Sequence, residues 1–83
     1  MTITDSIAHH IEEDPEHRGP ARARLRDSGV EVWVLVAQLP AMDGDPVRLA
    51  EAYGVPVEAV EAALAYYRRH KRVIDAQIVL NAA

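Results

Sequence analysis

The stretch DPVRLAEAYGVPVEAVEAA at residues 45–63 decides the fold of this chain. Asp45 is a good helix N-cap and Pro46 suits the first helical position behind it, so a helix is predicted to begin here. Gly54 ends that helix, because glycine readily takes the left-handed conformation found at helix C-termini. Pro56 opens a second helix. Two short helices joined by so tight a turn predict a helix-turn-helix, with an ordinary helical hairpin as the alternative.

Small and apolar residues at helical spacing hold this unit together. Ala50 is small enough to let the second helix cross the first. The flanking apolar residues are Leu49, Tyr53, Val55 and Val60. Apolar residues three and four positions apart carry the second helix to the region of Arg69–His70. On that helix we expect Tyr67 to face the core and Tyr66 to face the surface, since adjacent helical residues diverge.

Two further helices are predicted, one on each side of this unit. Residues 30–40 read VEVWVLVAQLP, and the spacing of the apolar residues favours a helix from about Val32 to Leu39 that the following proline stops. The valines leave a buried strand as the alternative. Near the end of the sequence, the segment from Val73 to Leu80 places Ile74 and Ile78 one turn apart, which indicates a last short helix.

The N-terminal region predicts a short β-ribbon. Residues 21–26 read ARARLR, and this alternation is typical of a half-exposed strand. The turn Asp27–Gly29 follows it. Because a lone ribbon is marginal in water, the strand must pack on the helices or add its exposed edge to another chain's sheet. Between Ser6 and Ile11 the pattern fits a helix or a short strand equally well.

These elements together predict the fold class and the domain organisation. We expect a mainly α protein with a short N-terminal β-ribbon followed by a helix-turn-helix bundle of three to four helices. The 83 residues make one domain, with an N-terminal arm and ribbon over residues 1–29 and the bundle over residues 30–83. A chain this short has a thin core, and together with the exposed strand edge this predicts a homodimer.

Composition excludes several classes of function. The chain has no cysteine, which removes disulfides, thiolate zinc sites and cysteine nucleophiles and suits a cytoplasmic protein. We expect neither a signal peptide nor a membrane span. No serine has a recognisable base beside it, and the adjacent His9 and His10 diverge too far to complete a zinc site. The sequence therefore predicts no catalytic residue, no metal, no cofactor and no enzyme.

Basic residues form two clusters that are candidates for DNA phosphate contacts. The candidate DNA-binding residues are Arg22, Arg24 and Arg26 on the predicted strand and Arg68 and Arg69 near the end of the second helix. The positions that a recognition helix would present to bases are Glu58, Ala59, Glu61 and Ala62. Two glutamates there, and a net charge of −4, oppose strong binding to phosphates.

The sequence also resembles a known family. The run from Val32-Trp33 through the segment AALAYY at residues 62–67 to Ile74-Asp75-Ala76 resembles the bacterial antitoxin-like family known as domain of unknown function 433. Its members look like antitoxins of the VapB type, which neighbour PIN-like ribonuclease toxins. The family carries Gly-Thr-Arg where this chain has Asp27-Ser28-Gly29. Whether the arginine of that turn braces the ribbon or contacts phosphate, this chain must perform its role with other residues.

The resemblance implies a protein partner and a surface for it. A PIN-like toxin holds metal ions between carboxylates, and an antitoxin can silence it with basic side chains or by covering the site. The candidate partner-binding residues are Lys71, Arg72, Ile74 and Ile78, in which apolar anchors stand beside basic groups. The alternative is that the two isoleucines close the chain's own core.

Two functions follow from these observations. The first is an antitoxin-like small regulator that binds a PIN-like toxin and operator DNA through the helix-turn-helix. The second is a protein-interaction or dimerisation module that keeps the helix-turn-helix shape without binding DNA. The basic clusters and the resemblance favour the first, whereas Glu58, Glu61 and the altered turn favour the second.

Overall fold

The computed structural model of the chain describes residues 2–82, which fold into five α-helices and one two-stranded antiparallel hairpin. In chain order the elements are α1 (Ile3–His10), β1 (Ile11–Glu12), β2 (Arg24–Leu25), α2 (Val32–Gln38), α3 (Pro46–Tyr53), α4 (Val57–Arg69) and α5 (Lys71–Ala82). The mainly α fold with a short N-terminal ribbon is therefore confirmed. Within these residues no helix has both the length and the apolar character needed to cross a bilayer.

The two helices of the predicted helix-turn-helix and the short turn between them form as the sequence predicts. The carboxylate of Asp45 accepts a hydrogen bond from the Val47 backbone N–H at 2.9 Å and caps α3. Gly54 ends that helix with φ of +64°, a conformation in which a side chain would be strained. Three residues separate α3 from α4, and Ala50 is buried where the unit packs.

The segment that precedes the ribbon is helical. Of the two interpretations of Ser6–Ile11, the helix is correct as far as His10, and Ile11 begins β1. Thr2 caps α1 reciprocally: its hydroxyl accepts from the Asp5 N–H at 3.2 Å, and the Asp5 carboxylate accepts from the Thr2 N–H at 3.4 Å. None of the residues of α1 is fully buried, so this helix lies on the core rather than in it.

The predicted strand over residues 21–26 is shorter than expected, and its edge is not exposed. Pro20–Arg22 forms a 3₁₀ turn, which leaves only Arg24–Leu25 as β2. On one side β2 pairs with β1. On the other side the Leu25 N–H donates to the Val30 carbonyl at 2.7 Å and the Val32 N–H donates to the Ala23 carbonyl at 2.9 Å. The expectation of an open edge at this strand is wrong, because the chain itself covers both sides.

The core lies among α2, α3, α4 and α5, and each of these helices contributes at least one of its largest side chains. The largest fully buried residues are Leu35, Leu49, Ile74, Val32 and Val60. α2 is helical as favoured, despite its valines, because Val32 and Leu35 both reach this core. α4 lies at the centre, contacting α1, α2 and α3, and it buries alanines that let these helices approach closely.

The two adjacent tyrosines are exchanged relative to the prediction. Tyr66 is buried, with only 9% of its surface exposed, whereas Tyr67 is half-buried. Burial raises the pKa of the Tyr66 phenol, with a smaller contribution from the charge of Glu13. The assignment failed because β1 and α1 cover a side of α4 that its own apolar stripe does not mark.

Candidate interaction surface

The three arginines of the ribbon are held by carboxylates of the same chain. Arg22 Nε lies 2.6 Å from Glu31 Oε1, and Arg24 Nε lies 2.8 Å from Glu12 Oε2. These hydrogen bonds are the main reason why the pKa values of Arg22 and Arg24 rise above their ordinary value. The arginines therefore neutralise the acidic residues around the hairpin, and a phosphate would have to compete with those carboxylates.

Arg26 has a structural task that the sequence analysis missed. Its guanidinium donates to the carbonyl oxygens of Ala8 at 3.1 Å, His9 at 3.3 Å and Ile11 at 3.1 Å, and it lies 3.4 Å from Glu12 Oε1. The last carbonyls of a helix have no partner within the helix, and a cation at this end also interacts favourably with the negative end of the helix dipole. Arg26 therefore ties the end of α1 to the ribbon.

The predicted recognition positions of α4 are poorly placed for reading bases. Ala59 and Ala62 are buried in the chain's own core, so they present nothing to a groove of DNA. Glu58 and Glu61 are exposed, but they line a shallow depression together with residues of α1. The surface that a recognition helix would offer is therefore acidic and partly occupied by α1.

A basic surface does form where α4 meets α5. The residues that line this depression are Arg68, Arg69, His70, Lys71, Arg72 and Val73, and we call it the basic corner. Neither Arg68 nor Arg72 has an ion pair with a carboxylate within residues 2–82. Arg69 donates to the Thr4 hydroxyl at 2.9 Å, a neutral partner that leaves its charge uncompensated.

The start of α5 adds to the positive potential of the basic corner. α5 begins at Lys71, and no acidic residue lies in its first turn. The partial positive charge of a helix N-terminus therefore lies beside the arginine side chains. Asp75, one turn into α5, pairs with Lys71 Nζ at 2.7 Å, so the positive charge that no carboxylate within residues 2–82 pairs with belongs to Arg68, Arg69 and Arg72.

A hydrogen-bonded cluster links the two helices that form the corner. Asp75 accepts from the Tyr67 hydroxyl and from Lys71 Nζ, each at 2.7 Å. Lys71 Nζ also lies 5.5 Å from the centre of the Tyr67 ring. The hydrogen bond from Lys71, followed by that from Tyr67, lowers the pKa of Asp75 below its ordinary value of 3.8.

Asp75→Asn is expected to lower the free energy of unfolding at neutral pH. The free energy of unfolding of this variant should also fall less steeply than that of the wild type as the pH is lowered. Because the pKa of Asp75 is lower in the folded chain than in the unfolded chain, its carboxylate stabilises the fold above about pH 3.8. That contribution is lost as pH falls through the folded pKa, so the wild type and the variant should converge in strong acid. Urea melts followed from neutral to strongly acidic pH measure the difference.

The exposed carboxyl of Glu51 on α3 provides the control for this prediction. It forms no ion pair in the described part of the chain, so Glu51→Gln should differ little from wild type at any pH. The pKa of Asp14 is also lowered, mainly by the Glu16 N–H. Its protonation therefore lowers the stability of every variant in acid. A difference between wild type and Asp75→Asn that stays constant with pH would contradict the assignment.

The candidate partner-binding residues separate into two groups. Lys71 and Arg72 are exposed at the basic corner, as a partner surface requires. Ile74 is fully buried and Ile78 packs partly buried against the same core, so both isoleucines face inward. The structure thus places these two side chains as the alternative interpretation expected, closing the core of the chain.

The opposite side of α5 carries apolar residues that the sequence analysis did not select. We call Val73, Ala76, Val79 and Leu80 the outward face of α5; all four are exposed. Val79 and Leu80 retain 70% and 74% of their surface accessible to solvent. The sequence does indicate a second apolar face on α5, because its apolar residues are distributed around the helix instead of forming one stripe.

The histidine and acidic side chains were considered as possible metal ligands. Within residues 2–82 no group of three or more histidine or acidic side chains is gathered closely enough to hold a metal ion. The rings of His9 and His10 contact each other edge to face, with centres 4.7 Å apart.

Comparison of the chain with protein-family models, with curated proteins and with solved structures found no match.

Proposed function

We propose that this chain is an antitoxin-like regulator that binds an acidic protein partner through its basic corner, with the helix-turn-helix acting as a scaffold. The observation that carries the proposal is the state of Arg68 and Arg72. Both are exposed at the corner, and neither has a carboxylate partner in the described chain. Exposed cations beside an apolar residue such as Val73 suit a protein interface, in which charge steers the encounter and apolar contact supplies affinity.

The distribution of charge over the rest of the chain argues against base reading by the helix-turn-helix. Glu58 and Glu61 would face phosphates, and the ribbon arginines already neutralise carboxylates within the chain. The net charge of −4 adds a repulsive term for any polyanion. A protein partner needs only a local match of charge, which the basic corner supplies.

The family resemblance suggests the class of the partner. A PIN-like ribonuclease concentrates carboxylates around its metal ions, so its active-site mouth is acidic. The basic corner is complementary to such a mouth, and insertion of one arginine among the carboxylates would block the nuclease. The expected partner is the product of a neighbouring reading frame.

Arg68→Glu is expected to weaken the complex with that neighbouring protein by about tenfold or more, mainly through slower association at low salt. Arg18→Glu is the matched control, because Arg18 is also exposed, lies outside the basic corner and has no ion pair within residues 2–82. Surface plasmon resonance with the co-purified proteins measures both rates. An equal loss in the two variants, or no complex with the wild-type chain, would refute the proposal.

Operator DNA is the second candidate ligand, favoured by the position of Arg68 and Arg69 on one exposed surface. If the corner contacts phosphates, affinity should fall with a slope of about −0.9 per phosphate neutralised on a log–log salt plot. Replacing both arginines with alanine should then flatten the slope and weaken all sequences alike. A gel-shift assay on the upstream DNA tests this, and no retardation at low salt eliminates it.

A further inference from the structure

The surface where α1, β1 and α4 meet carries a depression that the proposed function does not use. Its lining includes Ile7, Ile11, Glu13, Arg18 and Tyr66, and we call it the phenol depression. The volume of the depression is about 330 Å³, which lies at the lower end of the range of small-ligand sites in proteins. The space is therefore sufficient for a small organic molecule.

Tyr66 brings to this depression a hydroxyl that the fold leaves without a hydrogen bond partner. Only 9% of the residue's surface is exposed, and its ring is held against that of His70, with centres 4.5 Å apart. Within residues 2–82 the hydroxyl forms no hydrogen bond, and the only fully enclosed side-chain atom that lacks a partner is Trp33 Nε1. The Tyr66 hydroxyl is therefore reached by solvent from the depression. Because polar groups of buried side chains usually have a partner in the protein, a free one facing a depression indicates a ligand site.

Arg18 is the second side chain of the depression that has no partner. It is exposed, and it forms neither a hydrogen bond nor an ion pair in the described part of the chain. The other charged groups of the lining are engaged: Arg26 lies 3.4 Å from Glu12 Oε1, and Glu13 Oε1 accepts from the Gly19 N–H at 2.8 Å. The two side chains left free are thus a guanidinium and a phenol, and both can donate hydrogen bonds.

Two free donors beside an apolar wall define the chemistry of the ligand. A guanidinium binds a carboxylate through two parallel hydrogen bonds, and a phenol can donate a further one. Burial and, to a smaller extent, the charge of Glu13 raise the pKa of Tyr66, so the phenol remains a donor at neutral pH. Two carboxylates and two guanidinium groups make the lining neutral overall, which favours a singly charged ligand over phosphate. Ile7 and Ile11 offer apolar contact to the rest of such a molecule.

We propose that the phenol depression binds a small monocarboxylate with an apolar body. The carboxylate pairs with Arg18 and accepts from the Tyr66 hydroxyl, and the apolar body packs against Ile7 and Ile11. This inference is independent of the proposed function, because it uses neither Arg68 nor Arg72 and either can fail alone. A ligand of about eight non-hydrogen atoms is expected to bind with a Kd of about 1 mM.

Titration of the full chain with 4-methylpentanoate at neutral pH, followed by ¹H–¹⁵N NMR, tests the site. The chemical shifts should saturate with a Kd of about 1 mM and should change most at the residues that line the depression. The uncharged 4-methylpentanamide is the matched probe. It should bind about tenfold more weakly or less, because an amide lacks the charge that pairs with a guanidinium.

Tyr66→Phe separates binding from folding, because it removes only a hydroxyl that has no partner in the described chain. The free energy of unfolding should therefore change little, whereas the Kd for 4-methylpentanoate should rise about fivefold or more. Arg18→Gln should raise the Kd about tenfold. Arg72→Gln is the matched control, since Arg72 is also exposed and free of ion pairs within residues 2–82 but lies in the basic corner.

Three results would overturn the assignment. The first is the absence of saturable shifts in the wild type up to about 10 mM 4-methylpentanoate. The second is equal affinity for the carboxylate and the amide. The third is an equal loss of affinity in Arg18→Gln and Arg72→Gln, which would mean that carboxylates bind to exposed arginines in general. Because Arg18 is exposed, its variant tests the site even if Tyr66→Phe does not fold.

Discussion

Ile74→Ala is expected to destabilise the fold by about 2–5 kcal/mol, a large part of the total stability of a domain this size. Ile74 is fully buried and is one of the five largest such residues. Truncating it removes apolar contact and leaves a cavity among helices that relax only partly. Urea unfolding, analysed for both midpoint and slope, measures the loss.

Val79→Ala is the matched control on the same helix. Val79 keeps 70% of its surface exposed, so its truncation to alanine should change stability by no more than about 0.5 kcal/mol. If the two variants lost equal stability, α5 would not belong to the core, and Ile74 would return as a candidate partner-binding residue.

Ala63→Leu is expected to cost about 1–3 kcal/mol or more, because it forces three extra carbon atoms into a packed interior. Ala63 is fully buried on α4, the helix that contacts α1, α2 and α3. A larger side chain must push one of these helices away. For a domain of this size, each kcal/mol corresponds to a fall in Tm of about 4–8 °C.

Ala52→Leu separates overpacking from a general effect of leucine. Ala52 lies on the exposed side of α3, where the added side chain meets only solvent. Thermal melts followed by circular dichroism should therefore show a large fall in Tm for Ala63→Leu and almost none for Ala52→Leu. Similar values of Tm for the two variants would mean that α4 does not have the close-packed surroundings described above.

The parts of the fold that depend on neighbouring residues could be predicted from the sequence. Asp45, Pro46 and Gly54 act through their own backbone or through an N–H two residues away, so the bounds of α3 follow from local chemistry. The helical spacing of the apolar residues also gave α2 and α5. α5 begins two residues earlier than expected and ends two residues later, because its periodic core does not mark its ends.

The parts that depend on distant residues could not be predicted. The exchange of Tyr66 and Tyr67 results from contacts of α4 with β1 and α1, elements more than 50 residues away in the chain. The register of the ribbon brings Glu12 beside Arg24, and the isolated bridge between Arg24 and Glu31 brings the Glu31 carboxylate within reach of Arg22.

The turn of the ribbon at residues 27–29 is held by local contacts. Gly29 takes the third position of Asp27-Ser28-Gly29 with φ of +78°, and the Ser28 hydroxyl accepts from the Val30 N–H at 3.3 Å. In this chain Arg24 and Arg26 brace the ribbon from within the strand and just after it.

The burial of Ile74 has a consequence for how the protein is made. Leu35 meets its core partner on α5 only after a further 39 residues of synthesis, which take about 2–8 s at 5–20 residues per second. Until then α2, the Pro20–Arg22 turn and α4 lack the helix that completes their core. A nascent chain interrupted before this point would expose its apolar residues to chaperones and proteases.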